Sequence, residues 1–216
     1  MQATRILAIR HGETSWNVDT RIQGQLDIEL NDTGLWQAQQ LGLALSDEDI
    51  QVVYSSDLKR AHQTAQAIAQ APTRAQPVPL TPTRALRERH FGHLQGQTWA
   101  AIEAEWPEDA KLWRARDPHW SPQGGESLWV LRERIAACVS ALASQHIGEH
   151  IVWVAHGGVM DVLYRLATQQ DIQAPRTWHL GNAAINRLLW TPQGLSLVGW
   201  GDVSHLARAP KDESSV

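Results

Sequence analysis

The stretch Arg5-Ile6-Leu7-Ala8-Ile9-Arg10-His11-Gly12-Glu13-Thr14 decides how this chain reads. Its apolar run, Ile6 to Ile9, reads as a short buried strand that ends abruptly in Arg-His-Gly. A basic residue and an imidazole then stand at the carboxyl end of a strand, where open α/β sheets build their ligand sites. Gly12 lets the backbone turn away and is expected to leave room for an oxyanion close to the main chain. A histidine beside an arginine can attack a phosphoryl group while the guanidinium holds its oxygens. Taken alone, the same residues also read as a surface turn, so the rest of the chain has to decide.

Outward from that strand, Glu13 to Glu29 reads as a polar loop carrying Asn17, Arg21, Gln23 and Gly24. Asn31 or Asp32 then caps a helix whose inward positions are Leu35, Ala38, Leu41 and Leu45. A second strand, Val52 to Ser56, ends in two hydroxyls, and Asp57 caps a helix to about Ala71 with Ala61, Ala65 and Ile68 on one face. Pro72 to Pro82 is a proline-punctuated connection with room for a short strand at Val78 to Leu80. The segment from Leu86 to Gly125 is the least regular: it holds Glu88, a Phe91-Gly92 turn, a short helix Thr98 to Trp106, and breaks at Pro107, Pro118 and Pro122. A long helix from Ser127 to about Gln145 follows, with Leu128, Leu131, Ile135, Val139 and Leu142 inward. Ile151 to Ala155 is a third clear strand, running into His156-Gly157-Gly158 and a helix Val159 to Ala167. Ala184 to Trp190 and Leu195 to Trp200 pair as a hairpin about Pro192-Gln193-Gly194.

Strands alternating with helices imply an α/β three-layer sandwich, a mainly parallel sheet with helices on both faces. The expected organisation is one domain over residues 1–208, with an irregular lid insertion at about 89–123 and a frayed polar tail at 209–216. The totals agree: 216 residues suit one full-sized core, with 43% apolar and 19% charged residues. A net charge of −4 offers no general basic field for nucleic acid or an anionic membrane, so any anion must be held by locally placed arginines. With a single cysteine, Cys138, no internal disulfide can form, and neither a signal peptide nor a membrane span is legible; the expectation is a cytoplasmic protein. Eleven tryptophans against one phenylalanine stand out, and that content allows a homodimer.

Two strands end alike, in Arg10-His11-Gly12 and in His156-Gly157-Gly158. In a parallel sheet both ends lie on one edge, so the two histidines converge if the strands are neighbours. Arg60, one turn inside the helix after Ser55-Ser56, and Glu88, just after another strand candidate, reach the same edge. Phosphomonoester transfer needs this set: positive charge around the equatorial oxygens, a nucleophile, and an acid for the leaving alkoxide. Arg10 and Arg60 supply the charge and keep His11 neutral by repulsion, while His156 is expected to add a further cation.

The run Arg10-His11-Gly12-Glu13-Thr14, followed by Asn17, Gln23-Gly24 and Leu30 through Ala38, resembles the opening of the histidine phosphatase, or phosphoglycerate-mutase-like, superfamily. Ser55 to Ala61 with Thr64-Ala65 is similar to its second motif. Leu86-Arg87-Glu88 with Phe91-Gly92 and Gln95-Gly96 is similar to its acid motif, and Gly124 to Ser127 and Val154 to Gly158 to the last two. The resemblance spans residues 5 to 200 in the family's order. It implies that His11 is the phosphorylated nucleophile and Glu88 the proton donor, with Arg10, Arg60 and His156 forming the phosphate pocket together with Gly157. Asn17 is implied as a further phosphate contact, with Gln23 and Gly24 near the substrate. The family needs no metal, and no carboxylate cluster suggests one here. The implied partner is a small phosphorylated metabolite.

Two activities divide the superfamily. Glu88 to Gly96 resembles the mutases, which would use 2,3-bisphosphoglycerate as cofactor, but their Leu-Asn-Lys continuation is replaced by Gln97-Thr98-Trp99. His156-Gly157-Gly158 is phosphatase-like, since mutases carry Asn in place of Gly158, and the lid offers only Lys111, Arg114 and Arg116 to grip a carboxylate. The reading is a metal-independent phosphomonoester hydrolase without cofactor, with a mutase as the alternative and a catalytically silent member of the fold behind it. Trp99, Trp106, Trp113 and Trp120 recur every seven residues in the lid; ordinary packing is expected for most, with one or two lining the substrate mouth. The pairs His90/His93 and His146/His150 read as solvated histidines, Glu126 and Ser127 as caps of the long helix, and Cys138 as inert core.

Overall fold

Residues 2–207 are described by the structure, a computed structural model, so the expected tail at 209–216 lies outside the described residues. The first strand, β1 (Thr4–Arg10), stands inside a six-stranded sheet with β2 (Val52–Ser56), β3 (Leu80–Thr83), β4 (His150–Ala155), β5 (Ile185–Thr191) and β6 (Gly194–Asp202). The strand order is β3-β2-β4-β1-β5-β6. Strands β3, β2, β4 and β1 run parallel, and β5 and β6 add an antiparallel hairpin at one edge. Seven helices are seen among these residues: α1 (Ser15–Val18), α2 (Asp32–Ala44), α3 (Lys59–Ala69), α4 (Trp99–Glu105), α5 (Pro107–Arg114), α6 (Leu128–Ala143) and α7 (Gly157–Thr168). None is long and apolar enough to cross a membrane.

Alternation along the central strands divides the core into two layers. Ile6 and Ala8 of β1, with Ile151 and Trp153 of β4, pack on Leu131, Ile135 and Val139 of α6 and on Val159 and Leu163 of α7. Leu7, Ile9, Val152 and Val154 face the other way, onto Leu41 of α2 and Ala61, Ala65 and Ile68 of α3. Each large side chain so buried contributes about 1.5–3 kcal/mol relative to exposure. Cys138 lies in the first layer, where burial pushes its thiol up to about 11, in line with the expected core position. A third, smaller cluster, Leu94, Ile102 and Ala110, carries Trp99, Trp106, Trp113 and Trp120. Of the eleven tryptophans only Trp129 is exposed.

Several local expectations change. The expected loop after β1 contains α1, capped reciprocally by Thr14 and Asn17. Leu35 is 43% exposed, because α2 buries a stripe of small residues, Gly34, Ala38 and Gly42, beside Leu41. A Cβ at Gly42 would lie 2.4 Å from the Ala67 carbonyl oxygen, so α2 and α3 approach more closely than a leucine seam allows. Asp57 does not cap α3: its carboxylate is held by Arg87 at 2.6 and 2.7 Å, and Asp27 accepts from the Lys59 N–H at 2.7 Å instead. The edge strand falls at Leu80–Thr83 rather than Val78 to Leu80. Pro107 starts a helix instead of ending one, since at the first helical position its missing N–H costs nothing. The lid therefore holds the short helix expected before Pro107, as α4, and a second, α5, where a break was expected.

Candidate active site

The register of β1 on β4 builds the site. Arg10 pairs with Ala155, so the next residues, His11 and His156, leave the sheet side by side, and the His11 N–H donates to the Ala155 carbonyl at 3.0 Å. Their ring centroids are 5.2 Å apart and tilted by 58°.

His11 is 3% exposed, and its Nδ1 lies 2.7 Å from the Gly12 carbonyl oxygen. A carbonyl only accepts, so Nδ1 carries the hydrogen and Nε2 keeps its lone pair. Burial, then Arg60 and Arg10, hold the imidazole well below the usual 6.5, against the opposing pull of the Gly12 bond. His156 is fully buried with neither ring nitrogen bonded to protein. Burial first, then Arg60, His11 and Arg10, push it down in the same way, which runs against the expectation of an added cation.

Both arginines are aimed by carbonyls. Arg60, 1% exposed, donates to the Leu26 carbonyl at 2.8 Å and the Gly24 carbonyl at 2.7 Å, and burial lowers it to about 10. Arg10 donates to the Leu180 carbonyl, and its Nε is buried without a partner. Gly12 has a different role from the one expected. A Cβ there would lie 2.6 Å from the Gly34 carbonyl oxygen, so its missing side chain admits the start of α2 rather than an oxyanion. The Gly12 N–H donates to Thr64 at 3.0 Å, tying the loop to α3.

Glu88 sits on the N-terminus of α7, where the Gly158 N–H lies 3.0 and 3.1 Å from its two carboxylate oxygens. A Cβ at Gly158 would stand 2.4 Å from Oε1, so any larger residue there would make the carboxylate shift. A cavity of about 150 Å³ is lined by Arg10, His11, Asn17, Gln23, Gly24, Arg60 and Glu88. His156 is buried beside His11, its ring centroid 5.2 Å from that of His11. Gly157 lines an adjoining cavity instead. Asn17 Oδ1 is committed to the Thr14 N–H at 3.0 Å, and Gln23 is buried with Oε1 unpartnered. The structure thus brings His11, His156, Arg10, Arg60 and Glu88 to one sheet edge.

The family model of the histidine phosphatase superfamily (branch 1) matches residues 6–203. This chain belongs to that superfamily. Among curated proteins it is similar to the phosphoglycerate mutase-like protein 4 of Arabidopsis thaliana, 42% identical over 93% of this chain and 86% of that one. It is also 38% identical to the metal-independent phosphoserine phosphatase of the same plant, over 95% of this chain and 84% of that one. Among solved structures, Bacillus stearothermophilus YhfR matches with a TM-score of 0.86 at 28% identity, covering 95% of this chain and all of that one.

In this histidine phosphatase chain, sequence reasoning missed the scaffold around Glu88. Arg134 of α6 donates to the carbonyls of Ala85 and Arg87, each at 2.9 Å, and forks onto Glu126 at 3.0 and 2.9 Å. Glu126, expected as a helix cap, accepts from the His90 N–H at 2.9 Å; Ser127 alone caps α6. Gln25 donates to the Glu88 carbonyl at 3.0 Å, and Asn182 to the His11 carbonyl at 2.9 Å. Trp113 stacks on Phe91 at 4.8 Å and lines both cavities, the one lid tryptophan of the heptad series that does so. His93 pairs with Asp109 at 3.0 Å and His146 with Glu149 at 2.6 Å, and among the described residues no group of three or more His, Cys, Asp or Glu gathers for a metal.

Proposed function

We propose that this protein is a metal-independent phosphomonoester hydrolase that works through a phosphohistidine on His11. One observation carries the reading: a neutral imidazole with its Nδ1 proton committed to Gly12, between two arginines and beside a carboxylate. Nε2 of His11 attacks phosphorus in line. The P–O bond to the alcohol breaks as the P–N bond forms, and Glu88 transfers its proton to the leaving oxygen. Arg10 and Arg60 hold the equatorial oxygens, and we assign the innermost of them to His156. Glu88, now a carboxylate, takes a proton from water, whose oxygen attacks phosphorus. The P–N bond breaks, inorganic phosphate leaves and His11 is restored. The substrate is a small phosphorylated metabolite, and the place of action we propose is the cytoplasm.

Gly158 favours hydrolysis over mutase action. The mutases carry Asn at that position where this chain has glycine, and a side chain here would have to displace the Glu88 carboxylate from the place it takes, a Cβ alone standing 2.4 Å from it. The test is incubation with 3-phosphoglycerate and a trace of 2,3-bisphosphoglycerate in chelator, followed by phosphorus NMR. Free phosphate from this or another phosphoester supports the hydrolase. Rapid 2-phosphoglycerate without free phosphate makes the protein a mutase.

A further inference from the structure

The loop ahead of α2 is fastened to the root of the lid. Arg21 bridges Thr98 in antiparallel register, the Ile22 N–H donates to the Gln97 carbonyl at 3.0 Å, and the Gly96 N–H donates to the Ile22 carbonyl at 2.7 Å. Beyond this short ladder, residues 22–31 form neither helix nor strand. One side chain from the lid root reaches into that irregular stretch. The Gln95 side-chain oxygen accepts from the Gln25 N–H at 2.8 Å and from the Phe91 N–H at 3.3 Å. Two N–H donors on one atom require it to be the amide oxygen rather than the nitrogen. Gly24 makes room for this amide: its φ is +53°, and a Cβ there would fall on the Gln95 oxygen.

The peptide unit that Gln95 grips also holds Arg60. The Gln25 N–H and the Gly24 carbonyl belong to one plane, and that carbonyl accepts from Arg60 Nη2 at 2.7 Å. The next carbonyl but one, that of Leu26, accepts from Nη1 at 2.8 Å. In a planar amide the N–H and C=O point in opposite directions, so fixing one fixes the other. A glycine on its amino side would otherwise let this plane rotate at little cost. The row of bonds from Gln95 through the peptide to the guanidinium also polarises in one direction, which strengthens each member. Arg60 itself is 1% exposed and lines the small cavity beside His11, with Nε buried and without a protein partner. A rigid fork held by carbonyls on both terminal nitrogens presents its remaining N–H groups in one direction only.

We propose that Gln95 is a positioning residue for phosphate binding: by holding the Gly24–Gln25 peptide plane it aims the carbonyl that orients Arg60. This goes beyond the scheme at His11 and rests on its reading of Arg60 as a holder of phosphoryl oxygens.

The test removes the acceptor and keeps the bulk. Methionine matches glutamine in length but offers no comparable oxygen, and the ladder to residues 96–98 is main-chain and stays. Vanadate, a phosphate-shaped anion, is the binding probe, and p-nitrophenyl phosphate is the substrate, both well below each variant's Tm. Gln95→Met should weaken vanadate inhibition and lower kcat/KM by about tenfold each, the worth of one well-aimed charge-assisted hydrogen bond. In an Arg60→Lys background, where the fork is gone, the same change should cost less than about twofold more. If Gln95→Met folds poorly, Gln95→Asn, one methylene short of Gln25, should give the same losses. The proposal is overturned if Tm falls while vanadate affinity and kcat/KM stay within about twofold of the parent, the mark of a merely structural role. It is equally overturned if the loss is undiminished in the Arg60→Lys background. A parent protein that neither turns over p-nitrophenyl phosphate nor binds vanadate is instead the failure of the hydrolase reading, and the proposal falls with it.

Discussion

His11 and His156 lie with ring centroids 5.2 Å apart because two adjacent parallel strands end in register, Arg10 opposite Ala155. Both imidazoles are buried beside Arg60 and Arg10 and are held well below 6.5. The consequence for stability has a definite sign. Above pH 6.5 these groups are neutral folded or unfolded and contribute no pH dependence. Below it the unfolded chain takes up protons that the folded protein refuses, so stability falls as pH drops, by up to about 1.4 kcal/mol per pH unit for each histidine. Melting temperatures between pH 7.5 and 5 should fall less steeply in His11→Asn and His156→Asn than in the parent protein. Parallel curves would mean that these imidazoles titrate normally.

Glu88 on the Gly158 N–H is placed to protonate a leaving oxygen. Glu88→Gln should slow alkyl phosphates by about 10²–10⁴-fold, the usual worth of general acid catalysis. An aryl phosphate leaves without a proton and should suffer far less in its first step. Pre-steady-state release of p-nitrophenol against alcohol release from glycerol 3-phosphate makes the comparison. Equal losses would remove Glu88 from the acid role.

Arg134 and Glu126 hold the backbone on either side of Glu88. Removing one partner leaves the other partly buried and unpaired, at a cost of about 1–3 kcal/mol. Glu126→Gln should lower stability modestly and slow alkyl phosphates more than aryl ones, the same signature as losing the acid. If both substrate classes fall equally, the pair supports the fold without positioning Glu88.

Gly12 meets α2 with no room for a side chain, its Cβ position being 2.6 Å from the Gly34 carbonyl oxygen. A backbone neighbour cannot rotate away, so Gly12→Ala should cost about 1–3 kcal/mol. For a chain of this length that lowers Tm by about 2–12 °C. Gly199→Ala, whose nearest neighbour would be 4.0 Å away, is the control and should change little. Matching melting temperatures for the two variants would contradict the close approach.

What was legible in the sequence was local. Apolar runs ending in Arg-His-Gly and His-Gly-Gly announce strands with chemistry at their carboxyl ends, and the parallel alternation then brings them to one edge. Leu35 misled because a helix seam built on Gly34 and Gly42 carries no hydrophobic signal. Asp57 misled because a distant arginine, Arg87, outcompeted the adjacent helix N-terminus. Pro107 was read as a break because its position relative to a helix start depends on the helix itself. The Glu126–Arg134 brace and the Gln95 bond to Gln25 join segments tens of residues apart, and no spacing rule connects them.

The phosphorylated His11 itself can be measured. The protein is mixed with excess p-nitrophenyl phosphate, quenched in alkali within milliseconds, digested and analysed by mass spectrometry. The account predicts a base-stable, acid-labile phosphoryl group on the peptide carrying His11, absent from His11→Ala, which does not turn over. A phosphoryl group on another residue, or turnover by His11→Ala at a substantial fraction of the parent rate, would contradict it.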